Sequence, residues 1–183
     1  MSGHSTSGWR SLSLLPEPAT GEAAAAAGII PADALVLLVG AAGAGKSTWA
    51  AARVQPSQVL SSDAFRELVA DDASDQGATG VAFQLLHLVA RARLERGLLT
   101  VIDATNLTSG ARRPWRALAE RHGRPCVAVL FDVPLPELLA RNAGRERVVD
   151  AAVVRRHAIQ MQTALRDVPG ERYRLVLIAA VDP

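Results

Sequence analysis

The stretch GAAGAGKST, from Gly40 to Thr48, satisfies the spacing G-x-x-x-x-G-K-[ST]. It directly follows the apolar run ALVLLV (34–39) and opens a helix-forming segment, which is the setting that this spacing requires. Gly40, Gly43 and Gly45 let the backbone bend so that amide N–H groups converge. Those of Ala41, Ala42 and Ala44, with the positive end of the following helix, form a cradle for phosphate oxygens. Lys46 is the only lysine in a chain whose other strongly basic residues are all arginine. An ammonium on a thin stem reaches the β- and γ-phosphates of a nucleoside triphosphate, where a planar guanidinium fits the slot less well. The Ser47 hydroxyl is placed to ligate Mg²⁺. This loop specifies a donor, ATP or another NTP with Mg²⁺, and leaves the acceptor open.

Three further clusters bear on the acceptor and on the transfer step. In SSDAFRELV (61–69), Asp63 and Arg66 are three residues apart at a helix start and share a face. An aspartate there can take the proton of an incoming hydroxyl, and an arginine can neutralise the migrating phosphoryl group or dock a substrate phosphate. Asp63 also fits a plain helix cap. In IDATN (102–106), Asp103 ends a strand where a carboxylate can order Ser47 or a metal-bound water, and Asn106 reads equally as a substrate contact or a turn residue. ARNAGRERVV (140–149) gathers Arg141, Arg145 and Arg147 around a glycine, as an arginine-bearing lid over the phosphates would.

The elements that must position these groups alternate. Strands are expected at 34–39, 57–61, 98–103, 125–132 and 172–180, and helices at 46–53, 63–70, 80–97, 109–123, 135–144 and 150–168. Such alternation builds an α/β fold, a parallel sheet with helices on both faces. The first strand, the third and the fourth (PCVAVLFD) are continuous apolar runs, the mark of strands buried on both sides. The division expected is a flexible tail at 1–28, rich in Ser, Gly, Ala and Pro, followed by one domain at 29–183.

Composition narrows the classes. In 183 residues, 49% are hydrophobic, which excludes intrinsic disorder. The net charge of +2 says little about partners, so local arginine clusters matter more. Arg112, Arg113 and Arg116, near the Asn106 loop, are candidates for a nucleic-acid backbone. No apolar run approaches a membrane span, and no signal peptide is read. The lone cysteine, Cys126, excludes an internal disulfide and fits a reducing, cytoplasmic setting. Trp49, Trp115, His87 and His157 fall within expected helices and read as packing, and His122 as closing a helix.

From about Leu35 to about Ala179 the chain resembles the kinase module of bacterial polynucleotide kinase–phosphatase, an RNA end-healing enzyme. The stretches that carry the resemblance are GAAGAGKST, SSDAFRELVADDASDQGATGVAFQLLHLV, LTVIDATN, RNAGRER and RYRLVLI, the second being the most specific. The resemblance implies a P-loop NTPase fold, adenylate-kinase-like, with a five-stranded parallel sheet. It implies an ATP-dependent kinase acting on the 5′-hydroxyl of single-stranded RNA or DNA. It matches Lys46 and Ser47 to the P-loop pair, Asp63 to the general base, Arg66 to the arginine at the reacting phosphate, and Arg141 and Arg145 to lid arginines. Arg147 fits a third lid arginine less well, because this lid is one residue shorter. The family's full-length form continues into phosphatase and ligase-like domains, so a stand-alone kinase or a piece of a longer enzyme, without phosphatase activity, is expected. Two other readings stay open: a small-molecule kinase of zeta-toxin type, and a non-enzymatic NTP-dependent switch. The oligomeric state is open, a homodimer included.

Overall fold

The computed structural model describes residues 9–11, 30–145 and 148–179. At its centre is strand β2 (Leu35–Gly40), every residue of which is buried. Its side chains alternate between two apolar clusters. Leu35, Leu37 and Val39 face one with Leu86, Trp115 and Leu118, while Val36 and Leu38 face the other with Trp49, Ala50 and Leu138. A strand covered on both faces cannot alternate apolar with polar, and LVLLVG accordingly reads as one apolar run.

Chain order continues with α1 (Lys46–Ala51), β3 (Val59–Ser61), α2 (Ser62–Ala70), α3 (Thr79–Glu95), β4 (Thr100–Asp103) and α4 (Ser109–Arg121). Then follow β5 (Cys126–Phe131), α5 (Leu135–Ala143), α6 (Ala151–Asp167) and β6 (Leu175–Ala179). Strands β6, β5, β2, β4 and β3 lie side by side in that order, all parallel. The five-stranded parallel sheet expected from the sequence is therefore present. Because the chain leaves β2 toward β3 and later returns to its other side at β5, the order reverses beside β2. Crevices at such reversal points, at the strands' C-terminal ends, are where α/β sheets bind ligands.

One strand was not expected. Trp9–Ser11, within the segment read as a flexible tail, form β1 (Trp9–Ser11) and pair antiparallel with β6, Trp9 opposite Ala179. The physical reason is that β6 ends the parallel sheet, and an edge strand offers unpaired N–H and C=O groups to any segment within reach. The remainder of 1–28 lies outside the described residues.

Arg112 also departs from expectation. It is not on the surface for a nucleic acid to meet: its side chain is 1% exposed. Its Nε donates to Glu171 Oε2 at 3.0 Å, and its Nη1 donates to the carbonyls of Asn106 at 3.0 Å and Leu107 at 2.6 Å. It thus ties the loop after β4 to the approach to β6. Breaking a buried ion pair leaves its partner and the carbonyls dehydrated and unpaired. Arg112→Met should therefore lower the unfolding free energy by about 3 kcal/mol in urea titrations, while leaving binding of a phosphate-bearing strand unchanged at temperatures where it is folded.

Candidate active site

The C-terminal ends of β2, β3 and β4 open into a cleft of about 810 Å³. Of the residues singled out in the sequence, Ala42, Gly43, Gly45, Lys46, Ser47, Thr48, Asp63, Arg66, Asp103, Arg141 and Arg145 line it. Gly40, Ala41 and Ala44 are buried and do not line it.

The loop between β2 and α1 is shaped by glycine at two positions, Gly43 with φ 81° and Gly45 with φ 88°, a region that side-chain-bearing residues rarely adopt. Gly40 is needed for a different reason: a Cβ there would lie 2.8 Å from Phe131 Cβ on the neighbouring strand. Lys46 is only 8% exposed, and its Nζ donates to the carbonyls of Gly40 at 3.0 Å and Ala41 at 2.7 Å. Burial lowers its pKa to about 8, and Arg145 acts in the same direction, whereas Asp103 and Asp63 oppose the shift. A group so placed gains most from an arriving polyanion.

Ser47 Oγ donates to Asp103 Oδ2 at 2.7 Å. The parallel register of β2 with β4, Leu38 opposite Asp103, brings a residue just beyond one strand to the end of the other. Hydroxyl and carboxylate are hard oxygen donors of the kind magnesium takes, so the pair fits that ion with Ser47 as a ligand and Asp103 behind it.

Asp63 lies in the first turn of α2, whose cap is Ser61 rather than Asp63: the Ser61 side chain accepts from the Ala64 amide. The Asp63 carboxylate is engaged elsewhere. It ion-pairs with Arg66, and its side chain is 55% exposed against 10% for Arg66. Arg66 is fixed from its far side, Nε donating to the Ala73 carbonyl at 2.8 Å. The result is an accessible carboxylate held by a buried guanidinium, on the same cleft that the phosphate loop lines.

Arg141 ion-pairs with Glu137 one turn earlier on α5 and approaches Gly45, where a Cβ would lie 3.8 Å from its Nη1. Arg145 follows the helix. The ends of this segment are joined by Asn142, which no sequence signal marked: its Nδ2 donates to the Val149 carbonyl at 2.7 Å, and its Oδ1 accepts from the Val149 amide at 3.0 Å. Arg147 lies outside the described residues.

Asn106 does not line the cleft. It is 2% exposed with φ 47°, and its Nδ2 donates to the Leu38 carbonyl at 2.9 Å. Instead of holding substrate, it bridges the loop after β4 to the end of β2. Sequence reasoning also passed over Gln76, Thr79, Phe83 and Arg156, which line the cleft, and took His157 for packing although it lines the cleft too. Burial, together with Arg156 and Lys46, lowers the His157 pKa, and its Nδ1 has no hydrogen-bond partner among the described residues. The reading of Trp49 and Trp115 as packing agrees with their burial, Trp49 edge-on to Phe131 and Trp115 stacked on His87 at 3.7 Å.

A phosphate loop at the reversal point of a parallel sheet defines a P-loop fold. The family model for the AAA domain, AAA_33, matches residues 35–169, and the chain belongs to that family. A chain of the Pnkp1/Rnl/Hen1 RNA repair complex superposes with a TM-score of 0.65 at 20% identity, over 81% of this chain and 48% of that one. A second structure of the Pnkp1/Rnl/Hen1 complex gives 0.54 at 22%, over 66% and 42%. A gluconokinase from Sinorhizobium meliloti 1021 gives 0.51 at 15%, over 84% and 86%. This chain thus spans about half the length of the RNA repair chains it matches. No curated protein matches it. The fold is that of P-loop kinases, and nucleotide binding follows from it. Among the described residues, no helix is long and apolar enough to cross a membrane.

Lys46→Met should abolish nucleotide binding. With nucleotide at a hundredfold its Kd, wild-type protein gains about 2.7 kcal/mol of stability by mass action. A thermal shift should register that gain in the wild type and none in the variant.

Proposed function

We propose that the protein is an ATP-dependent kinase of 5′-hydroxyl ends of single-stranded RNA or DNA, acting in nucleic-acid end repair. The observation that carries this reading is the exposed Asp63 carboxylate, ion-paired with Arg66 on the cleft of about 810 Å³ that the phosphate loop also lines, where a strand end would meet a triphosphate. The likeness in fold to a chain of an RNA repair complex supports it.

In the proposed reaction Lys46 and the loop amides hold the β- and γ-phosphates of ATP. Asp63 accepts the proton of the 5′-hydroxyl, whose oxygen bonds to the γ-phosphorus as the bond from that phosphorus to the β–γ bridging oxygen breaks. ADP and a 5′-phosphorylated end result. Magnesium at Ser47 and Asp103 would neutralise the phosphate oxygens. Arg66 stands at the reacting phosphoryl group. Arg141 and Arg145, on a segment tied down by Asn142, act as lid arginines that spread the charge of the transition state. Gln76, Thr79 and Phe83, on the side of Asp63, are the wall against which the acceptor rests.

A kinase of small alcohols is the second reading, favoured by the match over most of the length of a gluconokinase. Transfer of γ-³²P from ATP separates the two. A 5′-hydroxyl oligonucleotide should be labelled, the same oligonucleotide already bearing a 5′-phosphate should not, and a panel of sugars and small alcohols should remain unlabelled. Labelling of a small alcohol without the oligonucleotide overturns the proposal. Asp63→Asn should lower kcat about 10³-fold, the scale of a lost general base, with ATP affinity retained.

A further inference from the structure

A second concave site lies at the opposite edge of the sheet. It is a groove of about 330 Å³, floored by Ala117, Pro125 and Cys126 and walled by arginines. Pro125 and Cys126 lead into and begin β5, and Arg174 immediately precedes β6, so the groove sits at the N-terminal ends of β5 and β6, whereas the cleft lies at the C-terminal ends of their parallel neighbours β2, β4 and β3. β5 has six residues, which puts the two edges about 20 Å apart.

The groove is built from two parts. On α4, Arg113, Arg116, Ala117 and Glu120 recur at helical spacing and present one face to it. On the approach to β6, Arg172 and Arg174 are exposed on either side of buried Tyr173. Two of the five arginines are spoken for. Arg116 lies between the Glu171 carboxylate at 3.3 Å and the Tyr173 ring. Arg124 is held by Asp33 at 3.0 Å and donates from Nε to the Leu94 carbonyl at 3.0 Å. Arg113, Arg172 and Arg174 make no ion pair with any described carboxylate, and Glu120 is the one acidic side chain in the lining. Three uncompensated guanidiniums gathered round a small apolar floor repel one another, and the groove is the wrong chemistry for an apolar or cationic partner. Arginine spaced along a concave path is suited to successive phosphates.

We infer that this groove binds the phosphate backbone of the acceptor strand at a distance from its reacting end, with Arg113, Arg172 and Arg174 as the phosphate contacts. The inference rests on the polynucleotide reading of the cleft and adds a second foothold to it. A strand seated by its 5′ end among Asp63 and Arg66 continues over the surface and is gripped again below the sheet. Very short acceptors use the cleft alone, while longer ones gain affinity from the groove. Cleft and groove differ in role: the first sets the chemistry, the second the affinity for length and its dependence on salt.

The test compares wild type with the triple variant Arg113→Ala/Arg172→Ala/Arg174→Ala, using 3′-fluorescein RNA of 20 and of 3 nucleotides. Binding is read by anisotropy over a series of salt concentrations, and phosphorylation is read in parallel. Wild type should bind the 20-mer more tightly than the 3-mer. The variant should lose about tenfold or more of that affinity in low salt, and its log–log salt slope should fall by about 2, three contacts at about 0.7 each on single strands. Binding and kcat with the 3-mer, and ATP affinity, should be unchanged. A second variant, Arg172→Glu/Arg174→Glu, should weaken the 20-mer further at equal folding stability. Unchanged 20-mer affinity and slope in both variants overturn the groove while leaving the kinase reading intact. Salt-dependent 20-mer binding that the variants abolish, with no phosphorylation by wild type of either RNA or of the matching 5′-hydroxyl DNA oligonucleotides, overturns the kinase reading instead and leaves the groove standing.

Discussion

Lys46 is a charge almost wholly withdrawn from water, and among the described residues no carboxylate lies in hydrogen-bond contact with it. Two carbonyls of its own loop hold it, and Asp103 and Asp63 act on it only at longer range. Dehydrating an ammonium is costly, and carbonyl dipoles return only part of that cost. The arrangement is tolerable because the loop is braced by a strand that cannot move. β2 is buried along its whole length between β4 and β5, Gly40 abuts Phe131, and Asn106 reaches across from the neighbouring loop to bond the Leu38 carbonyl. A polyanion entering the cleft relieves the imbalance. The protein therefore stores in its fold a site that is more comfortable loaded than empty.

The chain uses its arginines in three environments that sequence spacing does not separate. Arg112 is internal, a bolt between two loops. Arg66, Arg141, Arg145 and Arg156 face the cleft. Arg113, Arg172 and Arg174 stand round the groove at the other edge. Arg112 and Arg113 are neighbours in sequence and end in different worlds, because adjacent helix residues point about 100° apart and only one of them meets Glu171. The single lysine belongs with none of these groups, since its role depends on a slim stem and a compact head.

The phosphate loop, the parallel sheet and Asp63 were legible because their signals are local: a glycine pattern, an unbroken apolar run, an Asp–x–x–Arg at a helix start. The Ser47–Asp103 contact was legible because strand ends in a parallel sheet share an edge. What the sequence hid depends on contacts between distant segments. Asn106 looked like a turn residue or a substrate contact, and only the position of Leu38 makes it a brace. Gln76 ends the acidic stretch DDASDQ, whose composition suits a solvated loop, yet the fold turns it into the cleft. His157 falls on an amphipathic helix where an inward histidine and a cleft histidine have the same spacing. Three residues at 9–11 carry no periodicity at all, and their pairing with β6 follows from the exposed edge of the sheet.

The central claim is that the Asp63 carboxylate meets a polymer's terminal hydroxyl across from a bound triphosphate. A crystal structure of the Asp63→Asn protein with a non-hydrolysable ATP analogue and a 5′-hydroxyl trinucleotide tests it most directly. The account predicts the terminal 5′ oxygen within about 3 Å of the residue 63 side chain and in line with the γ-phosphorus. A trinucleotide bound with that oxygen outside the cleft, or a triphosphate bound away from Lys46, contradicts it.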